Sequence, residues 1–137
     1  MSDFQKTLEE VMGEFSCQTG TIHRAEGKVL HLVAHAGVPE FLLDKVSVIP
    51  FGKGIAGAAA ESREPVELCN LQQDLGGVAK EDARKTGVSG SIAVPVFSES
   101  GEVIGTLGIG KVTPYEFTAE EKGRLGEIAV KLAGMFG

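Results

Sequence analysis

Two cysteines, three histidines and two glycine-lysine stretches are the residues of this 137-residue chain whose types could do chemistry. A thiol attacks only as the thiolate, which needs a depressed pKa and, for redox turnover, a resolving partner. Cys17 and Cys69 lie in different parts of the chain and form no C-x-x-C, so Cys69 reads first as a buried small hydrophobe. His23, His31 and His35 raise the question of a metal. A three-residue hairpin loop would set His23 across the ladder from His31, whereas a two-residue loop would misalign them. His31 to His35 spans roughly 13 Å along one strand, too far for a shared ion. A solvated or partner-facing histidine face is the plainer reading, and no metal is expected. Three histidines crowded into one hairpin define no Ser-His-Asp order, so no catalytic residue is assigned.

The glycine stretches imitate phosphate-binding motifs without their context. Gly52-Lys53-Gly54-Ile55-Ala56-Gly57 fits G-x-G-x-x-G, but Pro50 interrupts the strand before it and no βαβ unit of the required length follows. A tight turn that opens a short helix accounts for it, although backbone amides there could favour an anionic ligand group. Gly105 to Lys111 spells G-x-x-x-x-G-K, yet Val112 stands where magnesium needs Ser or Thr. The glycines also sit inside a strand, so nucleotide hydrolysis by this route is not expected.

The elements that must position these residues are legible from periodicity. Phe4, Leu8, Val11, Met12 and Phe15 mark one face of a helix from about residue 2 to 15, with Ser2 and Gln5 spaced as a capping box. A hairpin follows, 19–25 and 29–36, in which Leu30, Leu32 and Ala34 share one face and His31, Val33 and His35 the other. One or two helical turns are expected over 40–45, an extended piece over 46–50, a short alanine-rich helix over 56–62 and a brief strand over 65–69, whose proline marks an edge position or a strand start. The stretch 70–90 is polar and glycine-punctuated. It has one helical piece around 79–85, where the mixed charges of Lys80 to Lys85 read as a solvated face. Two strands, 91–98 and 102–111, come next. Ile92, Val94, Val96, Leu107 and Ile109 form a bulky face, and Ser91, Ala93, Thr106, Gly108 and Gly110 a small one. The last helix opens on a Thr118/Glu121 capping box and carries Leu125, Ile128, Ala129, Leu132, Ala133 and Phe136 inward. Gly123 and Gly126 weaken that helix by roughly 1 kcal/mol each, tolerable if they admit the first helix closely.

Length and composition agree with one domain over residues 1–137. Apolar residues make up 42% and charged residues 23%, the balance of a soluble globular protein. The net charge of −6 argues against a nucleic-acid partner, and the short apolar runs against a membrane span. No basic region followed by an apolar core opens the chain, and cysteine usage is sparse, so a cytoplasmic location is expected. Nineteen glycines, about twice the usual share, are what a small domain must explain.

The chain resembles the GAF family of small-molecule sensor domains. The resemblance rests on Ile49-Pro50-Phe51-Gly52-Lys53-Gly54-Ile55-Ala56-Gly57, then Glu61-Ser62-Arg63-Glu64-Pro65-Val66. It continues through Ile92-Ala93-Val94-Pro95-Val96, Val103-Ile104-Gly105-Thr106-Leu107 and Phe117-Thr118-Ala119-Glu120-Glu121, in order along nearly the whole chain. It implies an α+β, profilin-like antiparallel sheet of about six strands, terminal helices on one face and a ligand cavity with short helices on the other. The sequence is also similar to stand-alone GAF enzymes that reduce free methionine-R-sulfoxide, but lacks their catalytic cysteines. The positions that those enzymes would fill with cysteine fall at Ala56, near Val46 and near Lys80. Their glutamate falls at Ser91, and their paired aspartates fall at Gly108 and Gly110. Cys69 matches none of them. Bilin attachment would need a histidine where Asn70 follows Cys69, and the cyclic-nucleotide signature survives only at Lys111 and Phe117.

The expected function is therefore a small-molecule-binding domain for signal transduction, without catalysis and without a cofactor. Its cavity is expected over the small face, closed by residues 71–90. Ser91 and Thr106 would orient the ligand, Phe51, Ile55, Val78 and Val88 would wall it, and Gly108 and Gly110 would leave it room. Two alternatives stay open. One is a homodimer or partner-binding module using the terminal helices, with the small face filled by the chain itself. The other is a diverged sulfoxide reductase relying on Cys69.

Overall fold

In a computed structural model the alternation of the strands becomes a six-stranded antiparallel sheet. The residues described are 3–40, 43–68 and 90–136. In chain order they form α1 (Asp3–Phe15), β1 (Thr19–Glu26), β2 (Val29–Ala36), α2 (Leu43–Ser47), β3 (Val48–Pro50), α3 (Gly54–Ser62), β4 (Val66–Leu68), β5 (Gly90–Phe97), β6 (Val103–Lys111) and α4 (Ala119–Phe136). The strand order is β3-β2-β1-β6-β5-β4, so the first hairpin and the second meet at β1 and β6 in the centre.

The bulky face is where the core sits. Ile22, Ile92, Val94, Val96, Leu107 and Ile109 pack under Leu8, Val11 and Phe15 of α1 and Leu125, Ile128, Leu132 and Phe136 of α4. Each of these side chains is buried, and together they supply the apolar burial that stabilises the domain. Gly105 also faces this layer. A Cβ there would lie 2.4 Å from the His23 carbonyl oxygen and 2.8 Å from the Phe136 ring, so only glycine fits.

The ends of α4 and the β4 edge are tied by polar contacts. The Glu121 amide donates to Thr118 Oγ1 at 3.0 Å, and the Thr118 amide donates to Glu121 Oε1 at 2.9 Å, the reciprocal capping box. The Tyr115 hydroxyl donates to the same carboxylate at 2.7 Å. These donors hold the Glu121 carboxyl below its usual range, the Thr118 amide contributing most. Glu67 of β4 accepts from the Phe117 amide at 2.6 Å and pairs with Lys122 at 2.8 Å. The equivalent cap at Ser2 lies outside the described residues. Gln5 reaches instead to the β2 backbone, donating to the His35 carbonyl at 2.8 Å.

Two expectations need correction. A Cβ on Gly123 or Gly126 would meet nothing within 4 Å, so these glycines do not admit α1 closely. In the first hairpin the pairing slips by one residue between Ile22 and His23, leaving Val33 as a bulge. The two-residue loop Gly27-Lys28 sets His23 opposite Leu32 and His31 opposite Arg24, and the bulge beyond them turns His35 to the face opposite that of His31. Leu30 and Leu32 share a face with His23, while Ala34 pairs with Ile22 on the helix side. An extra residue in one strand exchanges the faces on either side of it, which strict alternation could not reveal.

Candidate functional site

The small face is built by three central strands in register. Ser91 pairs with Gly110, Ala93 with Gly108 and Pro95 with Thr106 between β5 and β6. Thr21 pairs with Gly108 and His23 with Thr106 between β1 and β6. Four of the residues expected at a ligand site, Ser91, Thr106, Gly108 and Gly110, thus lie on one continuous floor. Helix α3 packs against the same side of β5 and β6, and Ala59 and Ala60 are buried there.

The glycines of the G-x-G-x-x-G stretch seat this helix. Gly52 and Gly54 take positive φ values of 91° and 65°. At Gly57 a Cβ would stand 2.6 Å from the Pro50 carbonyl oxygen, so α3 closes directly onto the end of β3. The Gly52 amide donates to the Gly57 carbonyl at 2.8 Å, which turns part of the motif's hydrogen bonding inward on itself. Phe51 and Ile55 are half-buried on either side of this turn. Val78, Val88, Cys69 and the expected closing segment lie outside the described residues.

Polar groups on the floor differ sharply in how they are satisfied. The Ser91 hydroxyl donates to the Ile109 carbonyl at 3.3 Å. Thr106 is fully buried, at 0% exposure, and its hydroxyl has no hydrogen-bond partner. His23, directly across the ladder, is 1% exposed. Its Nε2 lies 2.8 Å from the Val46 carbonyl oxygen, while its Nδ1 has no partner. Burial pushes the His23 pKa down, helped by the nearby His31 and opposed by the bond to Val46. The ring is therefore neutral at neutral pH. The histidines do not form the solvated face expected of them: His23 is interior, and His31 and His35 lie on opposite faces of β2.

His23 is the buried residue of the small face that reading the sequence left out of the candidate site. The available signal was its parity with Thr19 and Thr21 on β1, which places it on the small face whatever β2 does. Among the described residues no group of three His, Cys, Asp or Glu side chains is placed to hold a metal. Cys17 is free and buried, and burial pushes its thiol up to about 11, which disfavours the thiolate at neutral pH. Lys111, at one of the two positions echoing the cyclic-nucleotide signature, points to the helix side, where its Nζ donates to the Phe15 carbonyl. Phe117, the other, is in the core. A separate groove opens between α4 and the β5–β6 turn, with Arg24, Phe97, Gly126 and Val130 among its walls. Arg24 is engaged there, donating to the Phe136 carbonyl at 2.6 Å with its guanidinium 5.7 Å from that ring. No helix of the described residues is long and apolar enough to cross a membrane.

Known proteins share this architecture. The chain superposes on the type II free methionine-R-sulfoxide reductase of Thermoplasma acidophilum with a TM-score of 0.79 and 19% identity, covering 97% of this chain and 89% of that one. The GAF domain region of a Geobacter sulfurreducens putative membrane protein gives 0.80 and 17%, with 96% and 88% covered. The GAF domain of the Coxiella burnetii phosphoenolpyruvate-protein phosphotransferase gives 0.79 and 20%, with 95% and 77% covered. These similarities establish the fold, which enzymes and other GAF domains share. No curated protein matches the chain in sequence. The GAF domain family model matches residues 4–135, and the chain belongs to the GAF domain family.

Proposed function

We propose that this domain is a sensory or regulatory module that binds a small molecule on the small face of its sheet and catalyses no reaction. The observation that carries the reading is the pair of buried polar atoms, His23 Nδ1 and Thr106 Oγ1, left without a protein partner. An unsatisfied polar group in an interior costs about 1–3 kcal/mol, and adjacent ones on one face call for a ligand or trapped solvent. Side-chain-poor residues at Gly108 and Gly110 beside them support the same reading. Native mass spectrometry of the purified protein should show a co-purifying small molecule, or a metabolite panel should raise its Tm. A bare chain that no metabolite shifts would end this reading.

The absence of catalysis rests on residue chemistry. Ser91, Gly108 and Gly110 offer no carboxylate where the resemblance places the reductases' acidic contacts, and the buried Cys17 thiol is a poor nucleophile. Wild type and Cys69→Ser should both fail to turn over free methionine-R-sulfoxide. Turnover by wild type alone would make Cys69 a catalytic thiol.

A second reading, homodimerisation through the terminal helices, is favoured by Val130, an apolar α4 side chain left 75% exposed. Light scattering at tens of micromolar would count against it by returning a monomer.

A further inference from the structure

We propose that His23 and Thr106 are the polar anchor of the small-face site and select an uncharged ligand. That ligand presents an N–H or O–H donor beside an acceptor, as a carboxamide, lactam, ureide or nucleobase edge does. This rests on the binding reading above and adds the chemistry of what is bound.

The tautomer decides the first half. A carbonyl oxygen only accepts, so the 2.8 Å contact to Val46 requires the proton on Nε2. In the neutral ring Nδ1 then keeps its lone pair and acts as an acceptor alone. The Val46 carbonyl belongs to α2, so this short helix fixes which nitrogen faces an incoming group. Thr106 supplies the second half, a hydroxyl that donates or accepts. Residues paired across a ladder hold their Cβ atoms about 5 Å apart, a span that one small planar polar edge bridges. Ser91 adds little, because its hydroxyl already bonds the Ile109 carbonyl.

Charge decides the rest. A carboxylate or phosphate would set its lone pairs against that of Nδ1. An ammonium would find no counter-charge on the floor itself, where the strands of the described residues place no Asp or Glu. Glu26 and Glu67 both project to the helix side of the sheet by strand parity. A neutral donor satisfies Nδ1 at no such cost.

The test uses the full chain with 15N-labelled histidine at pH 7.5 and two matched probe series. Uracil, hydantoin, 2-pyrrolidinone and benzamide are neutral; orotate, benzoate and methionine sulfoxide carry charge. The His23 resonances are assigned by their loss in His23→Gln. At least one neutral probe should move the Nδ1 signal towards the hydrogen-bonded position. It should also bind at least about tenfold more tightly than its charged counterpart. Thr106→Val should weaken that binding by about tenfold while leaving the free protein's Tm unchanged or raised, and Thr106→Ser should retain it. Charged probes that bind at His23 while neutral ones do not would overturn the ligand class and leave the binding reading standing. Silence from both series, with no molecule seen in native mass spectrometry, would remove both. A Thr106→Val protein with lowered Tm and unchanged affinity would make the hydroxyl structural and overturn the anchor.

Discussion

The two faces of the central sheet come from the same strands and solve opposite problems. On β6, Leu107 and Ile109 point into the layer under α1 and α4, among the buried apolar side chains of the core. Thr106, Gly108 and Gly110, interleaved with them, point to a face that brings small residues and two unpartnered polar atoms together. One face maximises burial and fixes the fold. The other gives up part of that stabilisation by burying two polar atoms without partners.

This contrast is open to attack, beginning where the effect is largest. Leu107→Ala should destabilise the domain by about 3 kcal/mol in urea unfolding, because its neighbours are held by both terminal helices. Gly105→Ala should cost about 2 kcal/mol by the opposite fault, overpacking. The obstructing atom is a backbone carbonyl at 2.4 Å, which a rotamer change cannot move. An equal tolerance at both positions would dissolve the claim that the helix face is close-packed.

Acid should act on the small face. His23 has a folded-state pKa below its ordinary value of 6.5, so the unfolded chain binds its proton first. Its contribution to stability is complete above about pH 6.5 and is lost as the pH falls from there towards the folded pKa, at up to about 1.4 kcal/mol per pH unit. Urea unfolding between pH 7.5 and 5 should show this slope, and His23→Gln should flatten it. A slope that persists in the variant would assign the effect to other groups.

The outer surface of α4 gives a smaller effect of opposite sign. Gly123→Ala should stabilise by about 0.5–1 kcal/mol, since the added Cβ enters open space in a helix. Smallest of all is Gly108→Ala, the small-face counterpart of Gly105→Ala. Its Cβ would meet the Thr21 hydroxyl at 3.2 Å, a side-chain atom able to rotate, so stability should change by less than about 0.5 kcal/mol. Ligand affinity should fall all the same, because the methyl group occupies the floor. Calorimetric unfolding beside a ligand titration separates the two readouts.

Much of this was written locally. The parity of Ile92, Val94 and Val96 against Ser91 and Ala93 determined the two faces before any strand had a partner, since side chains alternate on a pleat. Thr118 and Glu121 determined where α4 begins, because a capping box needs only four consecutive residues. The glycine motif likewise announced a turn into a helix, and the contact of Gly57 with Pro50 is the close approach that required it.

What only the tertiary structure decided is which polar groups are left over. The bulge at Val33 appears only in the pairing of β2 with β1. A slip of one residue cannot be read from either strand alone. It turns His35 to the small face while His31 stays on the helix side, so the three histidines of one hairpin end in three environments. The burial of Thr106, and the carbonyl of Val46 that fixes the His23 tautomer, arise from segments far apart in the chain meeting over one floor. Whether a polar side chain is satisfied depends on partners supplied by distant elements, and local sequence holds no record of them.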